Sequence, residues 1–200
     1  MISKDNKNIM VVLSSPSGAG KTTISKKIQQ KFNNFKISIS HTTRKPRANE
    51  VDAVDYFFIT KDKFEKKIKN NEFYEFAKIF NNYYGTSKKS VNDLKNKNFN
   101  ILFDIDWQGT NQLSKYKELN FVKIFILPPN KDELKKRLID RSKGNTESIE
   151  KRLSSYDEDK HHWNEYDYIL INDNLENCFS QIVKIIEKEL NKFNLPTHNS

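Results

Sequence analysis

Two hundred residues with 35 Lys and Arg against 26 Asp and Glu carry a formal charge of +9, which favours anionic partners without choosing among nucleic acid, membrane surface and nucleotide phosphates. The lysines are scattered among asparagines rather than gathered in one tract, the pattern of a solvated surface and not of a nucleic-acid stripe. No apolar run approaches the ~18 residues of a membrane span, and the single cysteine, Cys178, excludes an internal disulfide and fits a reducing, cytoplasmic setting.

The length suits one α/β domain. Its first informative stretch is Ile9-Met10-Val11-Val12-Leu13, a short apolar run of strand length. Ser15-Pro16-Ser17-Gly18-Ala19-Gly20-Lys21-Thr22 follows, and a helical pattern with Ile24, Ile28 and Phe32 on one face comes next. Strand, glycine-containing turn and helix is the context of a phosphate-binding loop. Gly18 and Gly20 let backbone N–H groups converge on one anion, helped by the positive end of the new helix. Lys21 is then placed for the outer phosphates and the Thr22 hydroxyl for Mg²⁺.

Phe35 to Ser40 alternates as a strand, and Thr42 to Glu50 is a loop broken by Pro46, with Arg44 and Arg47 on it. Asp55 to Ile59 is a second strand candidate, Thr60 caps a helix holding Phe64 and Ile68, and Phe73 to Phe80 pairs with Tyr83 to Thr86 across an Asn81-Asn82 turn. Ser87 caps a short helix with Val91 and Leu94. Residues 37–96 thus form a small α+β lobe on a larger body. Asn100 to Asp104 is a buried strand ending in a carboxylate, Asp106 follows, and a helix runs through Leu113. Val122 to Leu127, helical Lys131 to Arg141, a break at Ser142 to Asn145, helical Thr146 to about Glu165, strand Tyr168 to Ile171 and a final amphipathic helix complete the chain.

Chemically, the loop is one anion site and Arg44 with Arg47, aided by the hydroxyls of Tyr56 and Tyr84, is a second that suits a monophosphate. Arg137, Arg141 and Arg152 flank the glycine-containing break, where a closing lid brings them onto a transferring phosphoryl group. Adjacent His161 and His162 diverge by about 100° on a helix and make no metal pair. His41 is read as structural.

Taken in order, Ser15 to Thr22, Ser40-His41-Thr42-Thr43-Arg44-Lys45-Pro46-Arg47, Glu50-Val51, Asp55-Tyr56-Phe57-Phe58, Asn82-Tyr83-Tyr84-Gly85-Thr86 and Asp104-Ile105-Asp106-Trp107-Gln108-Gly109 closely resemble the guanylate kinase family of the bacterial type, from about Ile9 to Leu190. The resemblance implies a P-loop three-layer fold with a central parallel sheet (core about 9–36, 97–136 and 166–193), a GMP-binding lobe at about 37–96 and a helical lid at about 137–165. It implies ATP and GMP as substrates, Mg²⁺ as cofactor, and no nucleic-acid or membrane partner. On these positions it assigns Arg44, Arg47, Tyr56 and Tyr84 to the GMP phosphate, and Ser40, Glu75 and Thr86 to the base. Asp104 falls to the Mg²⁺ waters and Asp106 to the GMP end, while Asn172 answers to an adenine contact. Lys21, Arg44, Arg137, Arg141 and Arg152 become the catalytic cations, with Ser15 to Thr22 on ATP. Guanine's N1–H and N2 amino donors suit one carboxylate such as Glu75, and adenine cannot match that pattern. Two departures stand out: Ser15 replaces the opening Gly of the general loop pattern, and Ala53 stands where the family's run has Gly, which bears only on the local turn.

Overall fold

The computed structural model describes residues 8–142 and 146–194, without the side chains at positions 141, 142, 148, 193 and 194. The break around Gly144 and the Arg141 side chain therefore lie outside the described residues.

Strand β1 (Met10–Ser14) is buried along its whole length, as a central parallel strand covered on both faces must be. Helix α1 (Lys21–Lys31) starts behind Gly20, whose φ of 100° belongs to the left-handed region that glycine enters without steric cost. Then come β2 (Phe35–Ile37), β3 (His41–Thr42) and β4 (Phe57–Phe58), all short. Helix α2 (Lys61–Lys69) is capped by the Thr60 hydroxyl accepting from the Lys63 N–H, and α3 (Lys88–Asn96) by Ser87 accepting from Ser90, each worth about 1 kcal/mol. Between them β5 (Phe73–Ile79) and β6 (Asn82–Ser87) form a hairpin. Next are β7 (Asn100–Asp104), α4 (Trp107–Leu113), β8 (Phe121–Leu127), α5 (Lys131–Ser142), α6 (Thr146–Ser154) and α7 (Tyr156–His161). A 3₁₀ turn at His162–Glu165, β9 (Tyr168–Ile171) and α8 (Leu175–Asn194) end the description.

The larger sheet is wholly parallel, in the order β2-β7-β1-β8-β9. Alternate residues of β1 serve opposite faces. Val11 and Leu13 pack with Ile24 and Ile28 of α1 and Ile182 and Ile186 of α8, whereas Met10 and Val12 join Phe103, Val91 and Leu113 beneath α3 and α4. Each fully buried side chain of this size contributes about 1.5–3 kcal/mol, so the two layers of helix are held by the sheet they cover. The chain leaves the sheet on one side of β1 and returns on the other, and a ligand crevice belongs at the carboxyl ends of strands at such a reversal. The smaller, mixed sheet runs β4-β3-β6-β5. A third cluster, Leu134, Leu138, Ile149 and Tyr156, joins α5, α6 and α7.

Four local readings shift. The strand expected to reach Ser40 stops at Ile37, and Thr42, expected to open the loop, instead joins His41 in the short strand that ties β4 to β6. The strand expected over Asp55–Ile59 shrinks to two residues. The hairpin turns one residue early, at Phe80 and Asn81, with φ of 46° and 67°; two positive values in succession match the twist of the flanking strands. The long helix expected from Thr146 is three pieces, because the Ser154 and Ser155 hydroxyls donate back to the carbonyls of Lys151 and Arg152 and compete with helix continuation.

Ala53 adopts φ 61°, its N–H donating to the Tyr56 carbonyl at 2.8 Å, so the position that departs from the family's glycine does take the left-handed backbone. A β-carbon there costs about 1 kcal/mol. Ala53→Gly is accordingly expected to raise Tm by about 2–4 °C in a thermal melt; no change or a fall would show that the turn carries no strain.

Candidate active site

One cleft of about 610 Å³ opens at the carboxyl ends of β1 and β7 and reaches the smaller sheet and α6–α7. Its floor is the loop from Ser15 to Thr22. Gly18 turns there with φ 98°, and a β-carbon on it would sit 2.9 Å from Leu138 and 3.0 Å from Leu134, so α5 packs directly on the loop. Asn172, at the end of β9, is only 3% exposed and donates its Nδ2–H to the Ala19 carbonyl at 2.8 Å. A side chain at Gly20 would collide with that amide. Expected to meet adenine, Asn172 does not line the cleft here: it lies behind the loop with one Nδ2–H on the Ala19 carbonyl, and its Oδ1 is buried without a hydrogen-bond partner among the described residues. Ala19 is likewise buried.

Lys21 Nζ lies 3.0 Å from Asp104 Oδ1 and donates to the Ile105 carbonyl at 2.7 Å. Thr22 is exposed on the cleft wall. Arg152 reaches in from α6, its Nη1 donating to Ser17 Oγ at 3.3 Å. Arg137 on α5 is held by Glu133 at 3.0 Å and donates Nη2–H to the Asn172 carbonyl at 3.0 Å.

Across the cleft, Arg44 and Arg47 converge on a carboxylate to which no role was assigned. Glu50 accepts from Arg44 Nη1 and Nη2, both at 2.9 Å, and from the Arg47 N–H at 2.8 Å. Burial pushes its carboxyl up, but these hydrogen bonds prevail and hold it below the usual carboxylate range. The Arg44 guanidinium lies 5.4 Å from the Tyr56 ring centroid and 5.8 Å from that of Phe58. Burial, with the Asp104 charge nearby, drives the Tyr56 hydroxyl well above its ordinary value, so it stays a neutral donor.

At the inner end lies Glu75, 3% exposed. A β-bulge between Phe73 and Glu75 displaces the register and brings Glu75 opposite Thr86. Gly109 makes room for it: a β-carbon there would stand 2.5 Å from Glu75 Oε2. Asp106 caps α4 by accepting from the Gly109 N–H at 2.9 Å. Burial pushes Glu75 up to about 7, with Asp106 acting in the same direction and Thr86 and Lys21 opposing. Asp106 is raised by burial as well, and Asp159 on α7 is pushed up to about 6 by burial and by Asp106. Thr86 Oγ1 is buried and makes no hydrogen bond of good geometry among the described residues, though it lies near enough to Glu75 to hold that carboxyl down; Ser40, immediately before β3, lines the cleft.

The cleft thus gathers Lys21, Thr22, Ser40, Arg44, Arg47, Tyr56, Glu75, Tyr84, Asp104, Asp106, Arg137 and Arg152 of the expected set. Thr86, Ala19 and Asn172 stand behind its wall. His41 is structural as expected, its ring centroid 4.8 Å from that of Phe57, and burial lowers its pKa to about 4. Trp107 and Asp159 also line the cleft and were not anticipated. The indole stacks on His162 at 3.6 Å, a pairing between residues far apart in sequence that no local pattern announces.

A phosphate-binding loop at the reversal point of a parallel sheet, facing an arginine pair across one cleft, defines a P-loop phosphotransferase with a donor side and an acceptor side. The Guanylate kinase family profile matches residues 7–189. The guanylate kinase of Rickettsia bellii is 49% identical over 94% of this chain and 98% of its own length, and that of Novosphingobium aromaticivorans 43% identical over 92% and 83%. The crystal structure of guanylate kinase from Anaplasma phagocytophilum superposes with a TM-score of 0.76 at 32% identity, covering 92% of this chain and 86% of that one. The chain belongs to the guanylate kinase family. At 10% identity and a TM-score of 0.53, the SH3-kinase fragment of tight junction protein 3 shares the fold alone.

The electrostatics of Glu75 can be tested directly. A carboxyl ¹³C titration is expected to place its midpoint near 7, against an ordinary 4.5. Between those values the native state keeps a proton that the unfolded chain has released, so stability falls as pH rises through that window and is level above it. Glu75→Gln should remove the slope, raising Tm relative to the parent at pH 8 and leaving it unchanged at pH 4.5.

Proposed function

We propose that the cleft carries out the reaction of its family, ATP-dependent phosphorylation of GMP to GDP, with the parts divided as follows. The backbone N–H groups of residues 15–22 and the Lys21 ammonium hold the β- and γ-phosphates of ATP. The Thr22 hydroxyl, and Asp104 through water, suit Mg²⁺, a hard cation that takes oxygen donors and keeps several waters. Asp104 fits this part, since it ends β7 facing Lys21 with both oxygens on polar partners, Lys21 at 3.0 Å and Ser25 Oγ at 3.5 Å. Bound there, such an ion would neutralise negative charge on the β- and γ-phosphates.

On the acceptor side Arg44, Arg47, Tyr56 and Tyr84 take the GMP phosphate. Glu75 accepts guanine N1–H and N2–H, Ser40 on the cleft wall can donate to O6, and Thr86, buried behind that wall, bears on the base through its contact with Glu75. One GMP phosphate oxygen attacks the γ-phosphorus as the bond to the bridging oxygen of ADP breaks. No general base is needed, because a phosphomonoester, with a second pKa of about 6, is largely dianionic at neutral pH. Positioning and charge neutralisation carry the rate, with Arg152 and Arg137 over the donor phosphates. Arg141 is assigned the same work from its place on α5. Residues 37–96 and about 137–165 act as acceptor lobe and lid around the core. A cytoplasmic location suits a nucleotide kinase whose one cysteine is buried and unpaired.

The observation that carries this reading is the union, in one cleft, of a phosphate-binding loop with Lys21, an arginine pair opposite it and a buried carboxylate at Glu75. Lys21→Ala is expected to lower kcat by at least about 10²-fold, as removal of a transition-state charge partner does, with the fold retained by circular dichroism. Glu75→Gln should lower the GMP-to-AMP ratio in kcat/KM by ~10²-fold or more, since discrimination rests on hydrogen bonds that adenine leaves unpaired. An unchanged ratio in a coupled assay of ADP formation would refute the base-reading role.

A further inference from the structure

Glu50 sits where an acceptor anion is to be gripped, yet it is an anion itself. Its two oxygens take four N–H donors: Arg44 Nη1 and Nη2 at 2.9 Å, the Arg47 backbone N–H at 2.8 Å and Arg47 Nη1 at 3.3 Å. Its own N–H donates to the Arg47 carbonyl at 3.0 Å, which closes the loop into a tight turn. The Glu50 side chain is 14% exposed and that of Arg44 15%, whereas Arg47 is 43% exposed.

A donor count on Arg44 gives this arrangement its meaning. A guanidinium has five N–H groups. Nη1 uses both of its own, on the Lys45 carbonyl at 2.7 Å and on Glu50, and Nη2 uses one on Glu50. Nε is sealed from solvent without a partner, and the guanidinium lies against Tyr56 and Phe58. One N–H, on Nη2, is left outside the Glu50 contact, and the Tyr84 hydroxyl also lies within hydrogen-bonding reach of the guanidinium. Because the bidentate pair fixes the guanidinium plane, the direction of that last donor is set before any ligand arrives.

We propose that Glu50 is the positioning residue of the acceptor-phosphate grip: it holds Arg44 and Arg47 in register so that they present fixed, not searching, donors to a phosphomonoester. The inference rests on the reading of Arg44 and Arg47 as the GMP phosphate site. It runs against simple charge counting, in which two arginines and one glutamate leave the grip at +1 and removal of Glu50 makes it +2. Charge alone therefore says that losing Glu50 tightens phosphate binding, while positioning says that it weakens it.

Steady-state kinetics of Glu50→Gln and Glu50→Asp against the parent decide the sign. For Glu50→Gln we expect KM for GMP to rise about tenfold, the scale of a lost charge-assisted hydrogen bond, with KM for ATP within about twofold. Glu50→Asp keeps the charge but shortens the reach by one methylene, and is expected to raise KM for GMP several-fold as well. Guanosine, which keeps the base and lacks the phosphate, should inhibit all three proteins equally. A fall in KM for GMP in Glu50→Gln, or a parental KM in Glu50→Asp, overturns the inference. So does a matching loss of guanosine binding, which would mean that the loop had simply collapsed. A parent that makes no ADP in response to GMP overturns the functional reading, and this inference with it.

Discussion

The Lys21 ammonium is the charge on which the rest of the site depends. It touches Asp104 at 3.0 Å and the Ile105 carbonyl at 2.7 Å, and its field also opposes the upward drift of Glu75, Asp106 and Asp159. Four carboxylates thus share one cation in a low-dielectric cleft. Three of them are nevertheless pushed upward, because burial outweighs what a single ammonium supplies. Lys21 reaches this place because β1 ends in a loop turned by Gly18 and Gly20 and locked from behind by Asn172 and α5. Sheet order, loop geometry and charge balance are therefore one constraint rather than three.

The two arginine groups obey different logic. Arg44 and Arg47 are tied to a carboxylate on their own loop, so their geometry does not depend on the distance between lobe and core. Arg152 meets the loop through a long contact to Ser17, on an element broken by two serine hydroxyls. On the proposed division of roles, the acceptor grip is built rigid and the Arg152 side of the donor grip is built on short, jointed helices. Such a division suits the proposed reaction, in which a donor side that opens and closes over a triphosphate would expel water from the transfer.

Much of this was legible before any coordinates. The phosphate-binding loop and the five strands of the main sheet rest on local pattern: apolar runs of strand length, glycines at a turn, and a helix with residues four apart. Thr60 and Ser87 were readable as caps because a hydroxyl at a helix start has a single-sequence signature. Glu50 was visible, three residues after Arg47 and six after Arg44, yet nothing local said that it would bind both. The Trp107–His162 stack, the place of Gly109 under Glu75, and Asn172 behind the loop depend on residues brought from distant strands and helices. The break between α6 and α7 was missed because serine inside a helical pattern reads as a tolerated residue until its hydroxyl is seen bonding backward.

Gln112, on the exposed side of α4, carries one more consequence. Its side-chain amide accepts from the Phe76 N–H at 3.1 Å and donates to the Phe76 carbonyl at 2.7 Å, the pair of bonds a neighbouring strand would make. Strand β5 is the last in its sheet, and Phe76 is 37% exposed. An outer strand with free backbone groups and an apolar side chain invites pairing with a second chain. Here one glutamine imitates the missing strand at Phe76 and occupies both backbone groups that a second chain would need there, a protection supplied by a side chain with no part in the chemistry.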